Sequence, residues 1–150
     1  MTDLDDLYQE LILDHYRRPR NFGRLEGADR HAEGNNPLCG DRLTVFLNLR
    51  DDVVTDVMFE GAGCAISTAS ASLMTEAVKG KTREQAEKLF RRFHALITGG
   101  KTSGDNGPEL GKLQAFAGVG QYPARVKCAT LAWHAFDAAL NNRFEEVTTE

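Results

Sequence analysis

The chain has 150 residues, about the length of one ordinary domain, which predicts a single domain over residues 1–150 with one hydrophobic core. Its 18 lysine and arginine residues face 22 aspartate and glutamate residues without a long block of either sign, which argues against nucleic acid as a partner. No apolar run approaches the roughly 20 residues that span a bilayer, and the N-terminal segment 1–6, in which Asp3, Asp5 and Asp6 are acidic, lacks the layout of a signal peptide. We therefore expect a cytoplasmic protein with no membrane partner.

The first predicted element is an amphipathic helix. Thr2 and Asp5 have the spacing of a capping box, apolar residues recur at helical spacing from Leu4 to His15, and Pro19 ends the helix.

Strands are predicted next, because the period changes at Asp41. Residues 41–50 and 53–60 form two runs separated by a polar turn, the first with an apolar residue at every second position: Leu43, Val45, Leu47 and Leu49. This pattern indicates an antiparallel hairpin. Residues 30–35 are a candidate third strand, although Gly34 and Asn35 are poor strand formers.

Helices fill the rest of the chain. They are predicted from Cys64 to Gly80, from a capping box at Thr82 and Gln85 to Ile97, from Pro108 as a short helix, and over residues 128–141. The polar residues 98–107 are predicted to form a loop. The sum is an α+β fold, in which a small antiparallel sheet of about three strands is covered by helices.

Cys39, Cys64 and Cys128 are the three cysteines of the chain. An odd, widely spaced set cannot be a closed disulfide framework, so we expect reduced thiols. Buried free cysteine is also common as a small apolar filler, and the local context of each residue has to decide.

Cys39 and Asp41 are candidate ligands of one metal ion. Pro37 favours extended backbone before it, and residues two apart in an extended segment point the same way. Gly40 carries no side chain and leaves room for a metal or a partner group. The alternative is a plain loop that enters a strand, with Asp41 solvated.

Cys64 and Cys128 are each predicted to lie at the start of a helix, where free N–H groups and the helix dipole favour thiolate. Arg125 and Lys127 add positive charge beside Cys128. For Cys64, a helix start rich in serine and alanine is also typical of close packing against a sheet.

Together the candidates form a Cys₃Asp set, whose four anionic donors suit tetrahedral Zn²⁺. The absence of a C-x-x-C pair means that spacing alone does not establish the site. Among the histidines, we interpret His15, His94 and His134 as structural or solvated and leave His31 undecided.

The chain resembles the IscU/SufU family of iron–sulfur cluster assembly proteins over essentially its whole length. The matching segments read LDHYRRPRNFG at 13–23, NPLCGD at 36–41, GAGCAIS at 61–67 and RVKC at 125–128. The IscU type has histidine immediately before its third cysteine, where this chain has Lys127. That difference and the longer segment over residues 81–121 resemble the SufU type.

The resemblance implies a zinc-dependent sulfur acceptor for a SufS-like cysteine desulfurase, which serves downstream iron–sulfur assembly proteins. It implies Cys39 as the sulfur-receiving thiolate, with Asp41, Cys64 and Cys128 as the other zinc ligands. A histidine of the desulfurase would replace Cys39 on zinc, and the freed thiolate would attack the enzyme persulfide. Arg125 would steer the partner or steady that thiolate, unless it is an ordinary surface arginine.

Two other functions use the same residues. A scaffold would assemble a [2Fe–2S] cluster on these thiolates. A structural zinc module would only recruit partners, and it gives no reason for the room at Gly40.

Overall fold

The computed structural model describes residues 3–98, 110–142 and 147–148. The helices are α1 (Asp3–Arg17), α2 (Ala65–Val78), α3 (Arg83–Thr98) and α4 (Pro123–Leu140), with a 3₁₀ helix at Gly111–Gln121 between the last two. The strands are β1 (Arg30–Asn36), β2 (Asp41–Arg50), β3 (Val53–Ala62) and β4 (Val147–Thr148).

The sheet has the order β3-β2-β1-β4. β1, β2 and β3 are antiparallel neighbours, and the two-residue β4 pairs in parallel with the outer edge of β1. The predicted α+β fold with three antiparallel strands is therefore confirmed. β4 was not predicted, because two residues carry no readable period.

Gly34 explains why β1 has such a poor strand sequence. A Cβ atom at this position would lie 3.0 Å from Cδ1 of Leu131, which belongs to α4. The missing side chain lets α4 pack closely on β1, and the residue that weakened the strand prediction is the one that the packing requires.

α4 begins at Pro123, whereas the sequence interpretation placed the start of this helix at Cys128. Proline is well suited to the first helical turn, where its missing N–H has no intrahelical partner to lose. The early start places Cys128 in the second turn of α4. The helix then runs through the core, where Trp133 stacks on Phe93 with ring centroids 4.9 Å apart.

α2 is buried on almost every side, and not along a single face as its sequence pattern suggested. Ser67 and all residues from Ala69 to Thr75 are buried, and the helix contacts both α1 and α4. Ser70 donates its hydroxyl to the Ala129 carbonyl oxygen of α4 at 2.6 Å. Small side chains are needed here, because larger ones would separate the three helices.

The end of α1 and the segment after it fasten that helix to α2. Ser72 Oγ accepts the backbone N–H of Arg20 at 2.8 Å and lies 2.7 Å from Nδ1 of the fully buried His15. Asn21 donates its side-chain amide to Thr75 at 3.0 Å. This part of the LDHYRRPRNFG motif therefore holds the two helices together, and His15 is structural, as the sequence interpretation had it.

Stability should fall in mild acid because of His15. Burial, with a smaller contribution from the charge of Arg20, lowers the pKa of His15 below its ordinary value of 6.5. A pKa that is lower in the folded state means that the unfolded chain binds the proton more tightly. The contribution of His15 to stability is therefore fully present above pH 6.5 and decreases as the pH falls below that value. We expect His15→Asn to show a weaker loss of melting temperature than the wild type between pH 7.5 and 5.5. Parallel pH profiles of the two proteins would contradict this.

Some predictions fall outside the described residues or stay untested. The described residues do not include Thr2, the predicted loop beyond Thr98, or Pro108, where the short helix was predicted to start. Further along that predicted helix, Leu110 lies at the start of the 3₁₀ helix and Leu113 and Phe116 lie within it, and all three are buried. The single domain over residues 1–150 stays a prediction. No helix in the described ranges is both long enough and apolar enough for a membrane span.

Candidate metal centre

Cys39 and Asp41 are brought together by the tight turn that joins β1 to β2. Asn36 and Asp41 form the last residue pair of the two strands, and the backbone N–H groups of Cys39 and Gly40 donate to the Asn36 carbonyl oxygen at 3.2 and 2.9 Å. Gly40 has a φ of +75°, which a glycine adopts without strain. The prediction of an extended backbone between Cys39 and Asp41 is therefore wrong, although the two side chains do come close together.

Cys39 is open to solvent, unlike its neighbour in the site. Its side chain is exposed, and apart from Gly40 and its two chain neighbours no described atom lies within 4 Å of the position that a Cβ of Gly40 would occupy. Asp41, the first residue of β2, is completely buried. The alternative of a solvated Asp41 is thus wrong, and the predicted room at Gly40 is present.

Cys64 caps the N-terminus of α2, as predicted. Its Sγ accepts the backbone N–H of Ser67 at 3.4 Å and lies 3.7 Å from Oδ2 of Asp41. Its own backbone N–H donates to Asp41 Oδ1 at 2.8 Å. The carboxylate of Asp41 therefore fixes the start of α2 against the start of β2.

Cys128 reaches the same place from inside the second turn of α4. Its side chain is only 3 % exposed, its Sγ lies 3.2 Å from the Sγ of Cys39, and the amide of Asn36 donates to it at 3.6 Å. Burial, aided by the hydrogen bonds to Cys39 and Asp41, raises the pKa of the Cys128 thiol. The expected position at the very start of a helix is wrong, and a bound cation would favour the deprotonated form of this sulfur.

The donor atoms of Cys39, Asp41 and Cys128 all lie within 4.8 Å of one another. A tetrahedral zinc site with Zn–S bonds of about 2.3 Å places its donors about 4 Å apart, so the spacing fits. Cys64 adjoins this group through its contact with Asp41. Among the described residues, none of the ion pairs involves Asp41. Because a buried carboxylate without a charged partner is unfavourable, the position of Asp41 beside three thiols suits a divalent cation.

No histidine belongs to the metal-ligand group of the described residues. His15 lies in the contact between α1 and α2, and His31 is exposed beside Phe46. His94 and His134 pack edge-on against the ring of Phe90.

An open groove of about 730 Å³ runs past the three thiols. Apolar side chains of α1, α2 and the segment before α4 form much of its lining: Ile12, Leu13, Ile66, Val119 and Tyr122. Arg125 also lines it, is exposed, and holds its guanidinium carbon 4.6 Å from the centre of the Tyr122 ring. The groove therefore combines an apolar floor, one cation and the exposed thiol of Cys39.

Sequence reasoning missed two residues that shape the site. Asn36 was not singled out, although an Asn-Pro pair is a turn signal and could have indicated its role. Gly63 was noted only as part of the GAGCAIS segment. A Cβ at Gly63 would lie 2.9 Å from Oδ1 of Asp41, so a side chain at that position would displace the carboxylate.

Comparison with known proteins agrees with the resemblance in the sequence. The model of the NifU-like N terminal domain family matches residues 7–129. The chain is 45% identical over 139 residues to the zinc-dependent sulfurtransferase SufU of Bacillus subtilis, covering 93% of this chain and 92% of that protein. It is 39% identical over 140 residues to the iron–sulfur cluster assembly scaffold protein IscU of Streptococcus pyogenes, covering 93% and 86%.

Solved structures share the fold. An iron–sulfur cluster assembly scaffold protein for the SUF system from Fervidobacterium islandicum superposes with a TM-score of 0.77 at 35% identity, covering 87% of this chain and 94% of that one. The N-terminal part of a NifU-like protein from Brucella abortus gives a TM-score of 0.79 at 27% identity, covering 94% and 96%. The chain therefore belongs to the NifU-like N-terminal domain family, that of the SufU and IscU iron–sulfur cluster assembly proteins.

Proposed function

We propose that the protein is a zinc-dependent sulfur acceptor, which takes persulfide sulfur from a SufS-like cysteine desulfurase in the cytoplasm and passes it to downstream iron–sulfur assembly proteins. The observation that carries the proposal is a difference in solvent exposure between the members of one group of metal-binding residues. The thiol of Cys39 is exposed, whereas Cys128 and Asp41, whose donor atoms lie within 4.8 Å of it, are buried. The similarity to a protein named zinc-dependent sulfurtransferase supports it.

Cys39, Asp41, Cys64 and Cys128 are the residues that would hold the zinc ion. Bound zinc would keep their thiols deprotonated at neutral pH, against the burial that raises the pKa of Cys128. Because Asp41 also accepts the backbone N–H of Cys64, its carboxylate is already oriented before any cation binds.

Cys39 is the residue that receives sulfur in this proposal. Its thiolate attacks the terminal sulfur of the desulfurase persulfide, so that a new S–S bond forms at Cys39 while the S–S bond of the persulfide breaks. The desulfurase cysteine leaves as thiolate and takes up a proton, and no external oxidant or reductant is needed. Cys128 is too deeply buried for the same attack.

Arg125 is proposed to assist this exchange. The step moves negative charge between sulfur atoms, and the Arg125 guanidinium lines the same groove as the three thiols. Its contact with the Tyr122 ring limits the positions that this long side chain can take. It can thereby steer an approaching partner and steady the thiolate of Cys39.

A scaffold for a [2Fe–2S] cluster is the second candidate function, because a similar protein is named as a scaffold. A cluster on this chain would need the same thiolates as zinc. Lys127 favours zinc over the cluster. A lysine ammonium has no lone pair to give to iron, whereas an imidazole at this position would have one. The four proposed donors would then form a closed zinc set.

Isolation without oxygen, followed by metal analysis, distinguishes the two functions. We expect a colourless protein with about one zinc per chain, since zinc thiolates do not absorb visible light as iron–sulfur clusters do. Added to a SufS-like desulfurase, it should speed cysteine turnover by removing the enzyme persulfide, whereas Cys39→Ser should not. A brown, iron-loaded protein that leaves the desulfurase rate unchanged would favour the scaffold.

A further inference from the structure

A gap at Gly63 separates the carboxylate of Asp41 from the hydroxyl of Ser67. A Cβ atom placed on Gly63 would lie 2.9 Å from Oδ1 of Asp41 and 3.2 Å from Oγ of Ser67. Both oxygen atoms therefore border one small space, which the glycine keeps open. A hydrogen bond across this space would form either directly, after rotation of the serine, or through one water molecule.

Ser67 has an unused donor at this gap. The residue is 1 % exposed, and within the described residues its Oγ has no hydrogen-bond partner. The serines that follow on α2 differ from it, because the hydroxyls of Ser70 and Ser72 are both hydrogen-bonded. Leaving a buried hydroxyl without a partner is unfavourable, so this donor is available for a bond to a neighbouring acceptor that a bound ion reorients.

We propose that Ser67 is a positioning residue of the metal centre, whose hydroxyl donates to the carboxylate of Asp41 when the site is loaded. Oδ1 of Asp41 already accepts the backbone N–H of Cys64. A second donor on this side would direct the other carboxylate oxygen, Oδ2, toward the thiols. The inference rests on the proposed zinc site.

The hydrogen bond acts through the orientation of a ligand. A carboxylate held by two donors on one oxygen loses little rotational freedom on binding a cation, and partners that orient ligands in this way change metal affinity by about 10- to 100-fold when removed. Ser67 also donates its backbone N–H to Cys64 Sγ. A side-chain substitution leaves that contact in place, so the role of the hydroxyl can be measured by itself.

The test measures zinc affinity and the stability of the metal-free protein in parallel. Zinc is titrated against a chromogenic chelator, and thermal melting is recorded after zinc removal. Ser67→Ala should raise the dissociation constant for zinc at least about tenfold. It should not lower the melting temperature of the metal-free protein, because the hydroxyl has no partner there to lose. Ser67→Thr keeps the hydroxyl and should restore most of the affinity.

Ser72→Ala is the matched control, since Ser72 is a buried serine of the same helix, away from the ligands. It loses the contacts with His15 and Arg20, so it should lower the melting temperature of the metal-free protein. Its dissociation constant for zinc should stay within about twofold of the wild type. A merely structural role of Ser67 would produce this same pattern in Ser67→Ala.

The outcomes separate the inference from the proposed function. If the wild type binds one zinc tightly and Ser67→Ala binds it equally well, the role of Ser67 is wrong and the zinc site stands. If the wild type itself binds no zinc, the proposed function fails. A loss of affinity in Ser67→Ala that Ser67→Thr does not restore would assign the effect to packing and overturn the inference.

Discussion

Replacing Cys39 with alanine should abolish sulfur acceptance and leave most of the fold and a large part of the zinc in place. The side chain is exposed on a turn, so its removal creates no cavity in the core. Cys128→Ala should be more damaging, because it removes a buried sulfur that contacts Cys39 and leaves the amide of Asn36 without its partner. An unsatisfied buried donor costs about 1–3 kcal/mol.

The measurement uses cysteine with labelled sulfur, the desulfurase and each variant, followed by zinc content and melting temperature. Cys39→Ala should carry no label and melt close to the wild type, whereas Cys128→Ala should lose more zinc and melt lower. Label on the Cys39→Ala protein would reject Cys39 as the acceptor.

Removal of zinc should lower the melting temperature strongly. The proposed ligands come from the β1–β2 turn, the start of α2 and the second turn of α4, so a bound ion would join three separate elements. Without it, the buried carboxylate of Asp41 has no ion-pair partner among the described residues. Structural zinc contributes up to about 10–16 kcal/mol in zinc-finger peptides, and we expect several kcal/mol here.

Calorimetry before and after chelation, with zinc then restored, measures this contribution. Cys128→Ala serves as the control, because a protein that has lost its zinc should respond little to a chelator. An unchanged melting curve of the wild type after verified zinc removal would show that the metal has no part in stability.

Local sequence patterns predicted those helices and strands whose secondary structure is determined by residues close together in the chain. In β2 the residues Leu43, Val45 and Leu47 are buried and the polar residues Arg42, Thr44 and Asn48 between or beside them are not, which gives the period of two, although Phe46 is buried as well. The capping box at the start of α3 is present as predicted, with reciprocal hydrogen bonds of 3.0 and 3.1 Å between Thr82 and Gln85. In both cases the signal lies within ten residues, and tertiary packing agrees with it.

The sequence could not predict what depends on contacts between distant elements. The start of α4 was misplaced, because residues 123–127 show no clear apolar period; Pro123 was the available signal. Of the four predicted ligands, the structure brings the donor atoms of Cys39, Asp41 and Cys128 within 4.8 Å of one another, but the sequence did not predict the turn that positions Cys39. The bond from Asn36 to Cys128 spans 92 residues, and only the packing of α4 on β1 creates it.

The wide spacing of the ligands also bears on the order of events during folding. Asp41 and Cys64 are 23 residues apart, whereas Cys39 and Cys128 are separated by 89. Contacts of such long range form late, after the cost of closing a large loop has been met. The group formed by Cys39, Asp41 and Cys128 thus comes together only when α4 has docked on the sheet, and a chain whose synthesis has not yet reached α4 lacks one of its three members.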